Sequence, residues 1–257
     1  MKVVILAGGF GTRIRDVAED IPKPMIPIGP FPILWYIMNT YSKFGYTDFV
    51  ICLGYKGRLI KDFFLNYQAY TNDFTISFGE NGDIQFYNKT QHSNWTVTLV
   101  DTGLKSKTGS RISRIRDFIG QEDFMLTYGD GVSDINIKKL VEFHHSHNKI
   151  LTVTGVRPPG RFGEMMCDPS GKIQEFNEKP QATAGRISSG YFVASPRLFD
   201  YLNDDENLVF EQEPLQQLVS EKELMMYEHD GFWQPMDTSR DYQLLHSLYE
   251  DGKAPWI

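Results

Sequence analysis

Near the amino terminus, Gly8-Gly9-Phe10-Gly11-Thr12-Arg13 is followed, ten residues after the arginine, by Lys23-Pro24-Met25. Glycines let backbone N–H groups come close to an anion because no Cβ intervenes. The arginine and the lysine add positive charge where that anion would lie. Neither common nucleotide fingerprint is present. Counted from Gly9, a G-x-G-x-x-G pattern would need glycine where Ile14 stands, and no Gly-Lys-Ser/Thr follows as in a P-loop. A nicotinamide oxidoreductase is disfavoured on that ground. A glycine-rich turn can be only a turn, but two basic residues at this spacing favour a phosphate-handling loop.

Two carboxylates suggest what else such a loop would need. Asp130 lies in Gly129-Asp130-Gly131-Val132-Ser133-Asp134, directly after the apolar run Phe124–Tyr128. An acidic residue at the carboxyl tip of a parallel strand faces the crevice where open α/β sheets bind ligands. Alone, an Asp-Gly pair is as well explained as a turn. Asp237, in Phe232-Trp233-Gln234-Pro235-Met236-Asp237-Thr238, supplies a second candidate. Together they suit Mg²⁺, which takes oxygen ligands and bridges one or two carboxylates to substrate phosphates.

Further along, Glu178 and Lys179 in Phe176-Asn177-Glu178-Lys179-Pro180 could meet sugar hydroxyls and a second phosphate, or form a surface charge pair before a turn. Asp101 to Arg111 has the look of a second small anion loop opening a helix, with Arg111 in the first turn. No Ser/His/Asp or Cys/His nucleophile set is evident. Phosphoryl chemistry does not require one, since it runs on positioning and charge neutralisation. His144, His145 and His147 lack cysteine or acidic partners at zinc spacing and read as a helix surface.

The elements that must position these groups alternate. Met1–Ala7, Asp48–Tyr55, Trp95–Val100, Phe124–Tyr128 and Leu151–Val156 read as strands; Ile33–Tyr41, Leu59–Tyr67, Gly109–Phe118 and Ile137–His147 read as helices. That order implies an α/β fold, a mixed and mostly parallel sheet flanked by helices. Phe74–Phe78 and Ile84–Tyr87, around Asn81-Gly82-Asp83, form a small antiparallel excursion that covers the site or meets another subunit. Beyond Pro158 a carboxyl-terminal subregion of shorter elements follows, with Leu215–Leu224 as a late helix. With no repeat and no linker, residues 1–257 parse as one domain.

At 257 residues the chain can bury a sizeable core. A net charge of −7 excludes a broad electrostatic footprint for nucleic acid, and a polyanionic small ligand would need local cations and a divalent metal. Cys52, within Phe49–Leu53, reads as a buried thiol. No signal-type amino terminus and no apolar run of membrane-spanning length occur, so no membrane partner is expected and a cytoplasmic location is.

Leu6–Arg13 with Lys23-Pro24-Met25 resembles the signature of the sugar-phosphate nucleotidyltransferases. The likeness continues through Gly54–Gly57, Trp95–Gly103, Tyr128–Asp134, Pro158–Gly163, Glu211–Leu215 and Gly231–Thr238, and these later segments favour the cytidylyl branch. The resemblance implies a Rossmann-like fold, CTP and a sugar 1-phosphate as substrates, α-D-glucose 1-phosphate first among acceptors, with Mg²⁺, release of pyrophosphate, and a homo-oligomer. Position by position, it implies that Leu6, Ala7, Gly8, Gly9, Gly11, Thr12, Arg13, Lys23, Ser106 and Arg111 hold the nucleotide. Arg13, Lys23 and Asp130 would be catalytic, and Asp130 and Asp237 the metal ligands. Glu178, Lys179, Ser188 and Gly190 would face the sugar phosphate. The chain departs from the family in two places. It has Ser188-Ser189-Gly190 for Asn-Gly-Gly, in the sugar pocket, and Thr108-Gly109-Ser110-Arg111 for Thr-Gly-Gly-Arg. A cytidylyltransferase with a different phosphorylated acceptor and a nucleotide-sensing module without turnover stay open as alternatives.

Overall fold

Val3, Val4, Ile5 and Leu6 are all buried, and they alternate between two separate cores, with Val3 and Ile5 in one and Val4 and Leu6 in the other. Side chains of a strand point to opposite faces, so a run that is apolar at every position must be covered on both. The computed structural model describes residues 1–11, 14, 20–79, 82–87, 94–158, 164–168, 170–177 and 185–257, with the backbone alone for 164–167 and 175–177.

Among the described residues, the central sheet has seven strands: β1 (Val3–Leu6), β2 (Asp48–Leu53), β3 (Thr96–Asp101), β4 (Phe124–Tyr128), β5 (Leu151–Val156), β6 (Ile187–Ala194) and β7 (Leu224–His229). Their order is β7-β5-β6-β4-β1-β2-β3. Only β6 runs against its neighbours; the other pairs are parallel. The expected mixed, mostly parallel sheet is therefore observed.

The main helices are α1 (Ile33–Ser42), α2 (Gly57–Leu65), α3 (Thr108–Ser113), α4 (Ile137–His147), α5 (Glu213–Ser220) and α6 (Ser239–Glu250). On one face of the sheet, α1 and α4 cover Ile5, Phe49, Ile51, Met125 and Val193. On the other, Ile112, Ile115, Leu198 and Leu218 cover Val4, Val50, Cys52, Leu126 and Phe192. Burial pushes the Cys52 thiol up to about 12, so it is an inert core group, as expected.

Four expectations need correction. The helix expected over residues 109–118 breaks: α3 ends at Ser113, and a separate turn, Arg116–Ile119, follows Ile115 at φ −107°, ψ 9°. The late helix stops at Ser220. Lys222 takes φ 60°, and Leu224 opens β7, which pairs with β5 along its whole length. A segment of helical length with leucines at its ends hid a helix end and a strand start. The third concerns α6, a helix beyond those expected, in which Tyr242, Leu245, Leu248 and Tyr249 recur at helical spacing and pack on the core. Its start is marked by a capping box, in which the Thr238 hydroxyl accepts from the Asp241 N–H and Asp241 accepts in return from Thr238. The excursion is present, with Phe74–Ile76 paired antiparallel to Ile84–Phe86 and with Phe78 91% exposed; the Asn81 end of its turn lies outside the described residues.

The fourth correction concerns the histidines. His144 is buried rather than on the surface of α4, with Nδ1 2.8 Å from Thr152 Oγ1, and His147 Nε2 is 2.9 Å from the same oxygen. Only His145 is exposed, beside Asp123 at 3.2 Å. Burial is the main cause that pushes His144 down to about 4; His147 is lowered for the same reason. A folded-state value below that of the unfolded chain means that unfolding takes up a proton between the two. Stability is thus complete above the unfolded value near 6.5 and falls with acidification. From pH 7 to pH 5, His144 should remove about 2 kcal/mol of unfolding free energy. Denaturant titrations at the two pH values should show this, and His144→Gln should flatten the difference. Equal slopes for both proteins would contradict it.

Candidate active site

Two short strands bring the distant carboxylates together. β4 ends at Tyr128, and Gly131–Ser133 then pairs antiparallel with Trp233–Pro235, with Gly131 opposite Pro235. One more ladder bond follows, from the Met236 N–H to the Asp130 carbonyl at 2.8 Å. Asp130 and Asp237 are consequently neighbours. Asp237 also sits just before the N-cap of α6, and its N–H donates to Asp241 Oδ2 at 3.2 Å. The capping box therefore fixes both the start of the helix and the backbone of the carboxylate.

Lys23 enters from a third direction. Pro22, at φ −69°, leads into a single 3-10 turn, Lys23–Met25, closed by the Met25 N–H on the Pro22 carbonyl at 2.8 Å. The Lys23 ammonium donates to Asp130 Oδ2 at 2.7 Å and to Asp237 Oδ1 at 2.5 Å. Its side chain is only 12% exposed, against 32% and 34% for the two carboxylates. Burial alone would lower its pKa, but the charge and hydrogen bonds of Asp130, seconded by Asp237, raise it above the usual lysine value. The group is an ammonium throughout the neutral range.

Behind the glycine loop lies Arg111. It is buried at 4% exposure, and burial lowers its pKa from the ordinary arginine value. Its donors go to the carbonyls of Leu53 at 2.8 Å, Gly8 at 3.1 Å and Leu104 at 3.5 Å, and to the Thr102 hydroxyl at 2.8 Å. The guanidinium thus ties the loops after β1, β2 and β3 to one another. It fits only because two neighbours lack side chains. A Cβ on Gly8 would lie 2.3 Å from Arg111 Nη1, and one on Gly54 2.7 Å from both terminal nitrogens and from the Gly8 carbonyl.

These groups open onto a cavity of about 430 Å³ at the carboxyl edge of the sheet. Leu6, Ala7, Gly8, Gly9, Gly11, Lys23, Ser106, Arg111, Asp130 and Asp237 all line it. The Ser106 hydroxyl is taken by Arg114 at 2.7 Å. A second cavity of about 220 Å³ adjoins it and shares Tyr128, Asp130 and Asp237; Ser188 and Gly190 line this one, with Ser189 and Trp233. Gly190 takes φ +80°, and a Cβ there would meet Tyr128 Cδ2 at 2.2 Å, so glycine is required. Thr12, Arg13, Glu178 and Lys179 lie outside the described residues.

Tyr128, Thr108 and Glu211 were not picked out as site residues. Thr108 Oγ1 donates to Glu211 Oε2 at 2.6 Å, and Tyr128 donates to Glu211 Oε1. Burial, then the Glu211 charge and hydrogen bond, raise the Tyr128 phenol far above its usual value. Their sequence signal was slight, because each is an ordinary residue type brought to the site by long-range packing.

The sheet order, the glycine loop and the Asp130–Lys23–Asp237 group define a nucleotide-binding α/β protein built for phosphate chemistry. The chain belongs to the nucleotidyl transferase family, whose model matches residues 2–251. It is 47% identical over 257 residues to the glucose-1-phosphate cytidylyltransferases of Salmonella typhi and Salmonella typhimurium, covering 100% of this chain and 98% of each relative. Its fold matches a UDP-glucose pyrophosphorylase solved with UDP-glucose, at TM-score 0.69 and 18% identity, covering 98% of both chains.

Gly54 is outside the cavity lining, so it tests the Arg111 brace without touching a ligand. Gly54→Ala should displace the guanidinium and the Gly8 carbonyl and weaken nucleotide affinity at least about tenfold, or 1.4 kcal/mol, by calorimetry. An unchanged Kd would show that the brace does not shape the loop.

Proposed function

We propose that the chain transfers a cytidylyl group from CTP to α-D-glucose 1-phosphate, giving CDP-glucose and pyrophosphate. The observation that carries it is the Lys23 ammonium lying between Asp130 and Asp237 at the mouth of the glycine loop. The identity to cytidylyltransferases over the whole chain supports the choice of nucleotide and acceptor. A phosphate oxygen of the acceptor attacks the α-phosphorus in line; the new O–P bond forms as the bond to the β-phosphate oxygen breaks, and pyrophosphate leaves. No covalent enzyme intermediate is involved.

The donor set fits Mg²⁺. Two carboxylates turn oxygens toward one cation, and the Lys23 ammonium stands in for it at 2.7 and 2.5 Å. Held by Asp130 and Asp237, Mg²⁺ would supply neutralisation of charge on the α-phosphate and the leaving pyrophosphate. Lys23 has three N–H donors and can turn them to phosphate oxygens without changing its protonation. Leu6 to Gly11, with Thr12 and Arg13 beyond, would bind the triphosphate nucleotide, together with Ser106. Arg111 would act by holding the Gly8 carbonyl and its loop in place. Ser188 and Gly190 would hold the acceptor in the second cavity, and Glu178 and Lys179 would meet it as the resemblance implies. Ser188, at the position where the family has an amide, favours a second reading in which the acceptor is another sugar 1-phosphate.

We also propose one nucleotidyltransferase domain over residues 1–257, and self-association through the excursion, where Phe74, Phe78, Ile84 and Tyr87 are exposed. Among the described residues no helix is long and apolar enough to cross a membrane.

Asp130→Asn should melt like the wild type and lose about a thousandfold in kcat/KM for pyrophosphate release, roughly 4 kcal/mol. Near-normal turnover would contradict the assignment. A panel of sugar phosphates crossed with the four nucleoside triphosphates should give its highest rate with CTP and glucose 1-phosphate; a faster acceptor would establish the second reading.

A further inference from the structure

Glu211 is an acidic residue in a cavity meant for a polyanion, and nothing in the transfer mechanism uses it. It sits just before Gln212, the N-cap of α5, and both its oxygens are held by hydroxyls from other elements, Oε2 by Thr108 at 2.6 Å and Oε1 by Tyr128. Thr108 is itself fixed, since its oxygen accepts the Phe210 N–H at 2.9 Å. Backbone bonds from Lys107 to the Glu206 carbonyl and from Gly109 to the Leu208 carbonyl, both 2.9 Å, stitch the two segments together. The carboxylate is therefore preorganised. An ionised carboxylate only accepts, and it has about four lone-pair sites, of which the hydroxyls take two.

A ligand group facing Glu211 must bring a donor and no negative charge, which excludes the phosphates. Glu211 lines the larger cavity, with Gly8, Gly9 and Val209, and is absent from the lining of the cavity that holds Ser188. It faces the nucleotide rather than the acceptor. The pyrimidine bases differ in just the property that an acceptor-only group reads: cytosine presents an amino donor at its 4-position, whereas uracil and thymine present a carbonyl acceptor there. Resting on the cytidylyl-transfer function proposed above, we infer that Glu211 is a specificity-determining residue, which accepts a hydrogen bond from the cytosine 4-amino group and repels the 4-carbonyl of uracil and thymine.

The test is kcat/KM for CTP, UTP, dTTP and dCTP with glucose 1-phosphate, for wild type, Glu211→Gln and Thr108→Val. The wild type should favour CTP over UTP and dTTP. Glu211→Gln, whose amide can donate to a 4-carbonyl, should lower the CTP:UTP ratio at least about tenfold, while the CTP:dCTP ratio stays as in the wild type. Thr108→Val, which frees one carboxylate oxygen from its hydroxyl, should lower CTP:UTP by a smaller factor. A merely structural role would lower all rates and leave that ratio alone, and this would overturn the inference. So would a change confined to CTP:dCTP, which would place the ribose at Glu211, or one confined to the KM of the sugar phosphate. Should Glu211→Gln fail to fold, Thr108→Val decides on the same ratio. A wild type that turns over UTP as well as CTP defeats the inference but not nucleotidyl transfer; a wild type with no product from any pair defeats the underlying function instead.

Discussion

One ammonium held between two carboxylates is the constraint on which the rest of this structure turns. Lys23, Asp130 and Asp237 come from a turn, a strand end and a helix start, and their charged atoms meet within 2.7 Å. The group carries a net charge of −1 in a place that burial makes expensive. Partly buried ion pairs recover little more than their own desolvation, so stability alone does not account for the arrangement. The carboxylates hold the lysine protonated, and under the proposed function the lysine would hold the carboxylates together until a ligand brought phosphates and a competing cation. The β-ladder through Gly131 and Pro235 and the capping box at Thr238 serve this meeting point, since a slip of one residue in either would separate Asp237 from Asp130.

Arg111 performs the matching task on the other side of the cleft. A buried guanidinium is costly unless its donors are used, and here they bridge the carbonyls of Gly8 and Leu53 and the Thr102 hydroxyl. Three loops that leave three neighbouring strands are locked by one side chain. Glycine at positions 8 and 54 follows from the space the guanidinium occupies, not from backbone torsion. The floor of the larger cavity is packed so closely around the guanidinium that it has no room for a methyl group at either position.

Much of this was legible in the residues. β4, β5 and α4 have the boundaries read from the chain, because each is a strong periodic or continuous apolar run. Lys23, Asp130 and Asp237 were singled out as charges beside a glycine loop, and the structure brings them together. Other features depend on contacts that no local pattern records. Met225 and Met226 lie in β7 because β5 offers an open edge, although the preceding residues read as helix throughout. His144 is buried because Thr152 supplies a polar partner in the core. Arg111 lines the larger cavity, as expected of a residue assigned to the nucleotide, and it is also a brace, a role set by two absent Cβ atoms 103 and 57 positions away in sequence. Glu211 belongs to the segment Glu211–Leu215 that carries part of the family resemblance, but its place in the site rests on the long-range contacts with Thr108 and Tyr128.

Metal affinity tests the central arrangement most directly, because the Lys23 ammonium and a divalent cation would compete for the same oxygens. Mn²⁺ binding can be followed by electron paramagnetic resonance without nucleotide, in the wild type, Lys23→Ala and Asp237→Asn. Removing the resident ammonium should tighten Mn²⁺ binding in Lys23→Ala by at least about tenfold, and removing one carboxylate should weaken it by a similar factor in Asp237→Asn. Equal affinity in all three proteins would show that the three residues do not form a cation site.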